Sequence, residues 1–473
     1  MATGTETKAL SEIRAIVGEK GIVDDAADQP GYLIDERRLY EGKAALIVRP
    51  ANVDEVSRVM KVCFDAGIGV VPQGGNTGYC GGATPSSDGS QVVLSLSRMN
   101  TIRGLDPVGH TMTLDAGVIL AKAQQAADEA GLLFPLSMGS EGSCQIGGNL
   151  STNAGGLAVL RYGTARELTL GLEVVLPDGE IIDGLTGLRK DNTGLDLKSL
   201  FMGAEGTLGV ITGAVVKLFP AIRTVETAWL AVADPDAACK LLGMARKSSG
   251  DAVSSFEYVS RRSLDLVLQH VEGATDPLGS DGQHFVLMEL ASPAVDEHFR
   301  DSVEQLITDG MEQGLVTDGV LAESGAQRQS LWRLRESVPE AEKLAGGAIK
   351  HDISVRISSI PAYMLKVAPQ LADLAAPYQS VYGHIGDGNL HYNLLAPEGA
   401  EASAWREQWS ATLSDCVHAA AAEMGGSFSA EHGVGQLKKG DLERYKNAAA
   451  LRTMHAMKQA IDPKGIMNPG KIF

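Results

Sequence analysis

The sequence predicts an α+β protein made of three segments, residues 1–222, 223–424 and 425–473. Three observations support this fold class. Short β-rich and helical runs alternate from residue 44, and strand, helix and strand follow one another over 44–74, which indicates a βαβ unit. Glycine accounts for 55 of the 473 residues and is clustered in the first half. These clusters stop after Pro220, where strands and helices alternate as in an α+β domain, and they return at Gly425.

The elements of the first segment follow from hydrophobic periodicity and from turn residues. The helix over 53–66 begins after Asn52, and Gly131 ends the helix over 120–130. The Asp178–Gly179 dipeptide predicts the turn of a β-hairpin over 168–184. In chain order the predicted elements are helix 8–19, strand 44–50, helix 53–66, strand 69–74, strand 91–97, strand 111–118, helix 120–130 and hairpin 168–184.

The second segment is predicted from the same signals. Its elements are strand 226–233, helix 234–248, strand 283–290, helix 295–313, hairpin 381–395 and an Ala-rich helix 399–424. In the hairpin we expect Gly386–Asn389 to form the turn, so that His384 faces His391 across the two strands. Ser337–Glu340 has the sequence of a capping box, which predicts that a helix begins there.

Composition and charge narrow the function classes. Hydrophobic residues make up 44% of the chain and charged residues 21%, as in an ordinary protein with a buried core. The formal net charge of -18 argues against binding to nucleic acid or to an anionic membrane surface. No run approaches the 18 or so apolar residues of a membrane-spanning helix, so we expect no integral membrane association.

The cysteines and the first residues suggest a compartment. The five cysteines are scattered and form no CxxC pair, which is typical of reduced thiols rather than of a disulfide framework. The opening residues, MATGTETKALSEIRAIV, have neither a signal-peptide pattern nor a transit-peptide pattern. We therefore expect a cytoplasmic location.

Three glycine clusters in the first half indicate a binding site. They lie at 72–82, 139–149 and 153–156, and the first follows a strand directly. Consecutive Gly-Gly-Asn-Thr-Gly can turn several backbone N–H groups toward one point and so bind a pyrophosphate. Each cluster alone could equally be a tight turn. Neither the GxGxxG dinucleotide fingerprint nor the P-loop occurs at these clusters, which disfavours a Rossmann site and a P-loop kinase.

The segment 47–220 resembles the FAD-binding domain of the vanillyl-alcohol-oxidase-type flavoproteins. PQGGNTG is similar to their pyrophosphate loop, and the runs PLSMGSEGSCQIGGNLSTNAGG and LFMGAEGTLGVIT are similar to the segments that line the flavin. GHIGDGNLHYN, SAEHGVG and DPKGIMNPGK resemble the C-terminal domain of FAD-linked oxidases. Within the family, GLEVVLPDG, LRKDNTGLDLK and KHDIS resemble the D-2-hydroxyglutarate dehydrogenases most, with D-lactate dehydrogenases and glycolate-oxidase D subunits as relatives.

The resemblance implies a two-part FAD-binding domain over 1–222, a substrate-binding cap over 223–424 and a C-terminal helical segment that returns to the flavin. It implies non-covalent FAD, because the loop 72–82 lacks the histidine to which some members link the flavin. The implied flavin-binding residues are Pro72, Gln73, Gly74, Gly75, Asn76, Thr77, Gly78, Pro135, Gly139, Ser143, Gly147, Gly148, Asn149, Asn153, Gly155, Gly156, Gly163, Glu205, Gly206, Gly209, Ile211 and Asn468.

The carboxy-terminal histidines suggest a metal site. Two facing imidazoles, His384 and His391, can converge on one divalent ion, although two histidines alone are more often polar residues of a sheet face. Glu431 adds a carboxylate between glycines, and a His, His, Glu set is typical of a catalytic zinc with an open position. The resemblance implies the same three ligands, with zinc as the metal, and makes His432 the catalytic base, for which the unperturbed imidazole pKa near 6.5 is suitable.

The substrate anchors come from the resemblance alone. It implies that Arg335 and Lys350 bind substrate carboxylates and that Asn393 and His432 orient the substrate, whereas these cations would otherwise be assigned to solvated helix faces. An arginine suits a carboxylate because its fork donates two parallel hydrogen bonds. The D-2-hydroxyglutarate enzymes have a substrate-contacting threonine four residues after this arginine, and this chain has Pro339 there.

The reaction implied is FAD-dependent, metal-assisted oxidation of a D-2-hydroxy acid, D-2-hydroxyglutarate first, to its 2-oxo acid. D-lactate, D-malate and glycolate are alternatives, as is an oxidase that uses oxygen. From other classes, a non-catalytic flavin- or zinc-binding protein and a nucleotide-dependent transferase remain. The implied partners are the small acid, an electron acceptor such as electron-transfer flavoprotein or the quinone pool, and a second copy in a homodimer.

Overall fold

The computed structural model describes residues 4–279 and 281–473, and the chain divides into two compact units. The first unit comprises Met1–Gly155, Gly163–Ala221 and Glu431–Phe473. The second comprises Gly156–Tyr162 and Ile222–Ala430. Within the described residues, no helix is both long enough and apolar enough to cross a membrane.

The first unit contains a small parallel sheet built by the predicted βαβ unit. Strands Ala44–Val48 and Val70–Gln73 both pair in parallel with Gln91–Ser95, which lies between them. Helix Val53–Ala66 connects the two outer strands; the Asn52 side chain accepts a hydrogen bond from the Glu55 N–H at its start. Gly67 ends this helix in the left-handed conformation, so the helix limits are as predicted.

A five-stranded antiparallel sheet completes the β-structure near the flavin motifs. Its order is Ile102–Asp106, Thr111–Asp115, Val210–Lys217, Thr169–Val175, Ile181–Gly184. The predicted hairpin is confirmed: Val175 pairs with Ile181, and Gly179 in its turn has a φ of 92°. The strand Ile102–Asp106 was not predicted, because its apolar and polar residues alternate only weakly and its side chains are largely exposed. Strands Leu132–Leu133 and Phe219–Pro220 form a separate antiparallel pair.

Short helices complete the first unit. They are Gly4–Val17, Pro30–Leu33, Val53–Ala66, Leu120–Glu129, Ile146–Ser151, Lys198–Phe201, Lys439–Tyr445 and Ala448–Ile461, with one turn of 3-10 helix at Glu19–Gly21. The first helix begins and ends earlier than the predicted range 8–19. It ends before Glu19 because Gly18 has a φ of 64°.

The second unit is centred on one large sheet. In spatial order its strands are Val316–Leu321, Thr224–Val232, His284–Ser292, Val253–Ser260, Tyr378–Gly383, Asn389–Leu395 and Ala348–Ile349; Asp352–Ser354 also pairs with Asn389–Leu395. Every pairing is antiparallel. Alternate residues therefore face opposite sides, so that Leu230 packs in one core and Trp229 in the other.

Helices cover both faces of that sheet. One core contains residues of helices Pro235–Ser248, Phe299–Glu312, Ile360–Leu374 and Ala402–Glu423. The other contains residues of helices Arg261–His270, Gly325–Glu336 and Val338–Leu344. The remaining helical segments are Val159–Tyr162 and the 3-10 turn Ile357–Ser359.

One predicted helix start and one predicted helix cap are corrected. The helix predicted from residue 295 begins at Phe299, because the Asp296 carboxylate accepts the His298 N–H and forms a turn before it. A helix does begin at Val338, but the capping box at Ser337 is wrong: Ser337 has helical backbone angles, its side chain makes no cap hydrogen bond, and it is also the C-cap of the preceding helix, which ends at Glu336.

The predicted register of the histidine hairpin is also wrong. Tyr382, not His384, pairs with His391, and His384 lies in the connection between the strands. The chain leaves the ladder at Gly383, which has a φ of 146°, and the His384 carbonyl accepts the Asn389 N–H. The error is two residues. The two imidazoles are neighbours all the same, with 5.6 Å between their ring centroids.

Candidate active site

The loop that follows the strand Val70–Gln73 is held by its own side chains. The Gln73 amide donates to the carbonyls of Tyr32 and Ala83, both at 2.9 Å. The Asn76 amide donates to the carbonyls of Gly31 and Ile34, at 3.0 and 2.8 Å. Both side chains were predicted to bind the flavin. The structure uses their donors to fix the loop, which leaves ligand contact to the backbone.

Two glycines of this loop lie against the second glycine cluster. A Cβ atom on Gly75 would lie 2.2 Å from the Ser143 carbonyl oxygen, and one on Gly74 would lie 3.3 Å from the Gly148 nitrogen. Gly147 is equally confined, since its Cβ would lie 2.8 Å from Cβ of Ala116. The structure therefore brings the clusters 72–78 and 139–149 together, and glycine is needed where their backbones meet.

We expect Gly75→Ala to lower the thermal stability of the protein and to abolish stable flavin retention, because the added methyl overlaps backbone that cannot move independently. Gly104→Ala is the control, since Gly104 is not among the predicted flavin-binding residues, a Cβ on it meets nothing within 4 Å and its φ is not positive. Differential scanning fluorimetry and the flavin-to-protein absorbance ratio measure both effects. Equal flavin content in the two variants would contradict the role given to Gly75.

The other predicted flavin residues in the first unit occupy turns and buried positions. Asn153 and Glu205 are non-glycine residues with positive φ, 50° and 49°. The Asn153 side chain accepts the Arg166 N–H at 3.0 Å. The buried residues of the set are Pro135, Gly147, Asn149, Gly206, Gly209 and Ile211. The half-buried ones are Pro72, Thr77, Gly148, Gly155 and Gly163, and the exposed ones are Gly78, Gly139 and Ser143. Gly156 belongs to the second unit.

The C-terminal segment is attached to this region through a buried carboxylate. Glu205 accepts the N–H groups of Val434 and Gly435, both at 2.7 Å. Burial raises the pKa of the Glu205 carboxyl, and these two hydrogen bonds oppose the rise. Glu205 was predicted to bind the flavin, and its observed role is to hold the loop that follows Glu431 and His432.

Asn468 makes a second attachment and supports the presence of a ligand. Its amide nitrogen donates to the carbonyls of Gly82 and Glu205, at 2.9 and 2.7 Å. Its Oδ1 atom is buried and has no hydrogen-bond partner among the described residues, as is also true of Oε1 of Gln145. Buried polar atoms are rarely left unpaired. Together with the glycine-lined backbone, these atoms fit a polar cofactor such as FAD.

His432 contacts an aromatic residue of the glycine-rich loop. Its ring lies edge-on to Tyr79, with 4.9 Å between ring centroids. Tyr79 was missed in the sequence, where it is one polar aromatic residue among glycines. The contact orients the imidazole that the resemblance identifies as the base.

In the second unit a buried carboxylate joins two predicted site residues. Glu257 is 1% exposed and lies in strand Val253–Ser260. Its Oε2 accepts from Nε and Nη2 of Arg335, both at 2.8 Å, and its Oε1 is 2.7 Å from Nδ1 of His384. The Arg335 guanidinium also lies over the Tyr382 ring, 4.8 Å from its centroid. The structure thus brings the predicted carboxylate anchor and the predicted metal ligand to the two oxygens of one side chain.

The charge state of Glu257 is well defined. Burial alone would raise the pKa of its carboxyl, but the charges of His384 and Arg335 and their hydrogen bonds lower it from 4.5 to about 2. An anion in this position is stabilised only by such partners, since an unpaired buried charge is costly. Glu257 could have been suspected from the sequence as the one acid inside a strand that is otherwise apolar or hydroxylic.

His384 of the connection and His391 of the following strand are suited to metal binding. Ring nitrogens of His384 and His391 lie within 4.8 Å of one another, and the rings are nearly perpendicular, at 78°. Each has a carboxylate neighbour: Glu257 for His384, and Asp352, 4.0 Å from Nδ1 of His391. Carboxylates beside metal-binding histidines fix the ring orientation and tautomer. With Nδ1 bonded to Glu257, Nε2 of His384 is the atom that would bind a metal.

Glu431, the third predicted ligand, is the residue after Ala430 in the chain. The Ala430 N–H donates to the Asp352 carbonyl at 3.1 Å, and the Ser354 and Ser427 backbones exchange hydrogen bonds. Residues 427–430 therefore lie beside the strand Asp352–Ser354, whose Asp352 pairs with His391. The donor set of two imidazoles and one carboxylate fits a divalent ion such as zinc.

The remaining anchors, Asn393 and Lys350, meet at a second buried acid. The Asn393 amide donates to both oxygens of Glu342, at 3.0 Å each, and its Oδ1 accepts the His351 N–H at 3.0 Å. Lys350 Nζ lies 3.5 Å from Oε2 of Glu342. Glu342 was not predicted as a site residue. Pro339, one turn earlier on the same helix, is exposed.

Comparisons with known proteins show what this chain is similar to. Residues 222–472 match the family described as FAD linked oxidases, C-terminal domain, and residues 44–184 match the FAD binding domain family. D-2-hydroxyglutarate dehydrogenase of Arabidopsis thaliana, named as mitochondrial, is 37% identical over 99% of this chain and 82% of its own length. The enzyme of the same name from Rattus norvegicus is 37% identical, over 93% and 80%. D-2-hydroxyglutarate–pyruvate transhydrogenase of Saccharomyces cerevisiae is 36% identical, over 98% and 94%.

Solved structures show the same fold. p-Cresol methylhydroxylase with substrate bound superposes with a TM-score of 0.76 at 16% identity, covering 100% of this chain and 97% of that one. 4-Ethylphenol oxidase from Gulosibacter chungangensis gives 0.73 at 18% identity, with 100% and 98% covered. The fold class expected from the flavoprotein resemblance is therefore confirmed.

Proposed function

The chain belongs to the FAD-linked oxidase family, and from that membership we propose that it oxidises D-2-hydroxyglutarate to 2-oxoglutarate with FAD as the electron acceptor. The relatives that carry this activity in their names match nearly the whole chain, so the proposal covers both units. Residues 1–222 and 425–473 would hold the flavin, and residues 223–424 would hold the substrate.

One observation carries the proposal: Glu257 fixes Arg335 and His384 on its two oxygens. A 2-hydroxy acid has its carboxylate and its hydroxyl on adjacent carbons, and it needs one group for each. The outer edge of the Arg335 fork takes no part in the contacts with Glu257, and it can donate to the C1 carboxylate. His384, which bonds the same carboxylate through Nδ1, would direct its other ring nitrogen to the hydroxyl.

The chemistry needs two groups that side chains cannot supply. FAD, when bound, would accept the hydride, and with it two electrons, from C2 of the substrate. A divalent ion, when held by His384, His391 and Glu431, supplies a Lewis acid at the hydroxyl oxygen. The two pairs His384–Glu257 and His391–Asp352 support this ligand set. Zinc is the metal that we propose, because the donors are nitrogen and carboxylate oxygen.

His432 is assigned the proton transfer. Its place after Glu431 in the chain sets it beside a proposed metal ligand, and the Tyr79 ring limits its rotation. It would take the hydroxyl proton as the carbonyl forms, a task for which imidazole has the right basicity at neutral pH. Lys350 would bind the distal carboxylate, and Asn393 would keep the Lys350 segment in place through the His351 N–H.

Reduction of the bound flavin tests the function. Under anaerobic conditions the yellow colour should be bleached by D-2-hydroxyglutarate and not by its L-enantiomer, and D-lactate, D-malate and glycolate should be compared in the same assay. D-lactate is the second candidate, because Pro339 stands where the D-2-hydroxyglutarate enzymes have a substrate-contacting threonine. A protein that binds no flavin, or one that no 2-hydroxy acid bleaches, would refute the proposal.

We expect the flavin to be non-covalent, because the loop 72–82 has no histidine to which it could be linked. Acid precipitation should leave the yellow colour in the supernatant, and denaturing gels should show no fluorescent protein band. Colour that remains in the pellet after washing would contradict this expectation.

Three further assignments belong to the proposal. The reduced flavin would pass its electrons to electron-transfer flavoprotein or to the quinone pool, and the protein would act as a homodimer. A cytoplasmic location is supported by five cysteines, none of which forms a disulfide, although several relatives are named as mitochondrial. Fractionation of the native host and a search for the reductase partner in its lysate test these assignments.

A further inference from the structure

The acid Glu342 is placed beside the proposed substrate anchors without a role in the proposed function. It lies on helix Val338–Leu344 and is 0% exposed. Both of its oxygens accept from the Asn393 amide, at 3.0 Å each, and Lys350 Nζ is 3.5 Å from Oε2. The Ser380 hydroxyl is a further hydrogen-bond partner. Lys350 itself is only half-buried, with 30% of its side chain exposed.

Hydrogen-bond donors surround Glu342 and stabilise its anionic form against the cost of burial. The Asn393 amide and the Lys350 ammonium can only donate, and the Ser380 hydroxyl can also donate. Burial raises the pKa of the Glu342 carboxyl, and the Lys350 charge and these hydrogen bonds oppose the rise. Because all of these neighbours can donate, the ionised carboxylate can accept every one of these hydrogen bonds, and none of them requires a proton on Glu342. Lys350 therefore already has a fixed counter-charge before a substrate arrives.

We propose that Glu342 is a specificity-determining residue whose carboxylate competes with a substrate's distal carboxylate for Lys350, so that the pocket also accepts 2-hydroxy acids without a second charge. This inference rests on the proposed function, because it takes Lys350 as the distal anchor. A diacid must share Lys350 with Glu342 and approach a like charge. A monoacid has a methyl group at the same place, and this methyl would meet the Lys350–Glu342 ion pair, whose net charge is close to zero.

The expected size of the effect follows from the distances. A carboxylate bound to Lys350 from its exposed side would lie roughly 6 Å from the Glu342 carboxylate, and at an effective dielectric constant of about 20 the repulsion is large enough to change affinity about tenfold or more. Glu342→Gln keeps the side-chain volume and an oxygen that can accept from Asn393, but it removes the charge. It should raise kcat/KM for the diacid relative to the monoacid about tenfold.

The experiment uses two five-carbon substrates that differ at the distal end, D-2-hydroxyglutarate and D-2-hydroxyvalerate. Their kcat/KM ratio is measured on FAD-loaded wild type, Glu342→Gln, Glu342→Asp and Glu340→Gln by anaerobic flavin reduction. Glu342→Asp keeps the charge and should keep the ratio near that of wild type. Glu340→Gln removes an exposed acid from the same helix, and it should leave both rates unchanged. If Glu342→Gln does not fold, Glu342→Leu removes the same charge.

The outcomes are distinguishable. A ratio that rises about tenfold only in the uncharged variants supports the inference. Equal loss for both substrates would mean that Glu342 only maintains structure, and a ratio that falls would mean that it holds Lys350 ready for a diacid; either result overturns the inference. If neither acid reduces the flavin of the wild-type enzyme, this result would instead overturn the proposed function, and the inference with it.

Discussion

Removal of divalent metal is expected to abolish oxidation of every 2-hydroxy acid while FAD stays bound. The proposed ligands His384, His391 and Glu431 lie in the last hundred or so residues of the chain, whereas the glycine-rich segments proposed to hold the flavin lie in its first half. Loss of a Lewis acid at the hydroxyl removes several kcal/mol of transition-state stabilisation, which is about 10³-fold or more in rate. The flavin site loses no contact.

This expectation is checked by exhaustive chelation, with metal analysis, flavin absorbance and anaerobic reduction measured on the same sample. Restored zinc should restore the rate. His391→Ala should reproduce the chelated state, whereas His298→Ala, which changes an exposed histidine paired with Asp301, should not. Full activity in a sample shown to contain no metal would eliminate the metal from the mechanism.

Arg335→Met is expected to impair every 2-hydroxy acid, because all of them share the C1 carboxylate. Loss of a charge-assisted hydrogen bond costs about 1.5–3 kcal/mol, or roughly 10- to 150-fold in kcat/KM. The loss should exceed this range, since the buried Glu257 carboxylate would lose the arginine charge that pairs with it and His384 would be less well oriented. Arg333→Met is the control, as this exposed arginine of the same helix bonds only the Glu272 carbonyl.

Lys350→Met should lower kcat/KM for diacids and not for monoacids, whereas Arg335→Met should lower it for all 2-hydroxy acids. We expect it to slow D-2-hydroxyglutarate and D-malate by roughly 10- to 150-fold and to leave D-lactate nearly unaffected, because lactate has no distal carboxylate. Steady-state kcat/KM over the three acids measures both variants. Equal slowing of lactate and the diacids by Lys350→Met would remove the main support for a diacid substrate.

Most of the elements that local sequence patterns predicted are present in the structure. The βαβ unit at Ala44, the Asp178–Gly179 hairpin and the helix after Asp234 each have a signal within a few residues: periodicity, a turn dipeptide or a capping side chain. The errors also have local causes. The predicted turn at Gly386–Asn389 was two residues too late, because the left-handed Gly383 ends the strand and nothing in the sequence distinguishes it from the glycines that follow.

The sequence by itself determined the family, the glycine-rich flavin segments and the histidines, because each of these is a contiguous motif whose chemistry depends on its own residues. Only the tertiary structure decided how the anchors are held. Glu257 precedes Arg335 by 78 residues and His384 by 127, and Glu342 precedes Asn393 by 51. Pairing of sheet strands and packing of a helix beside them bring these groups together. A buried carboxylate can be assigned its partners only when its surroundings are known, since burial and neighbouring charges together set its ionisation and its energy.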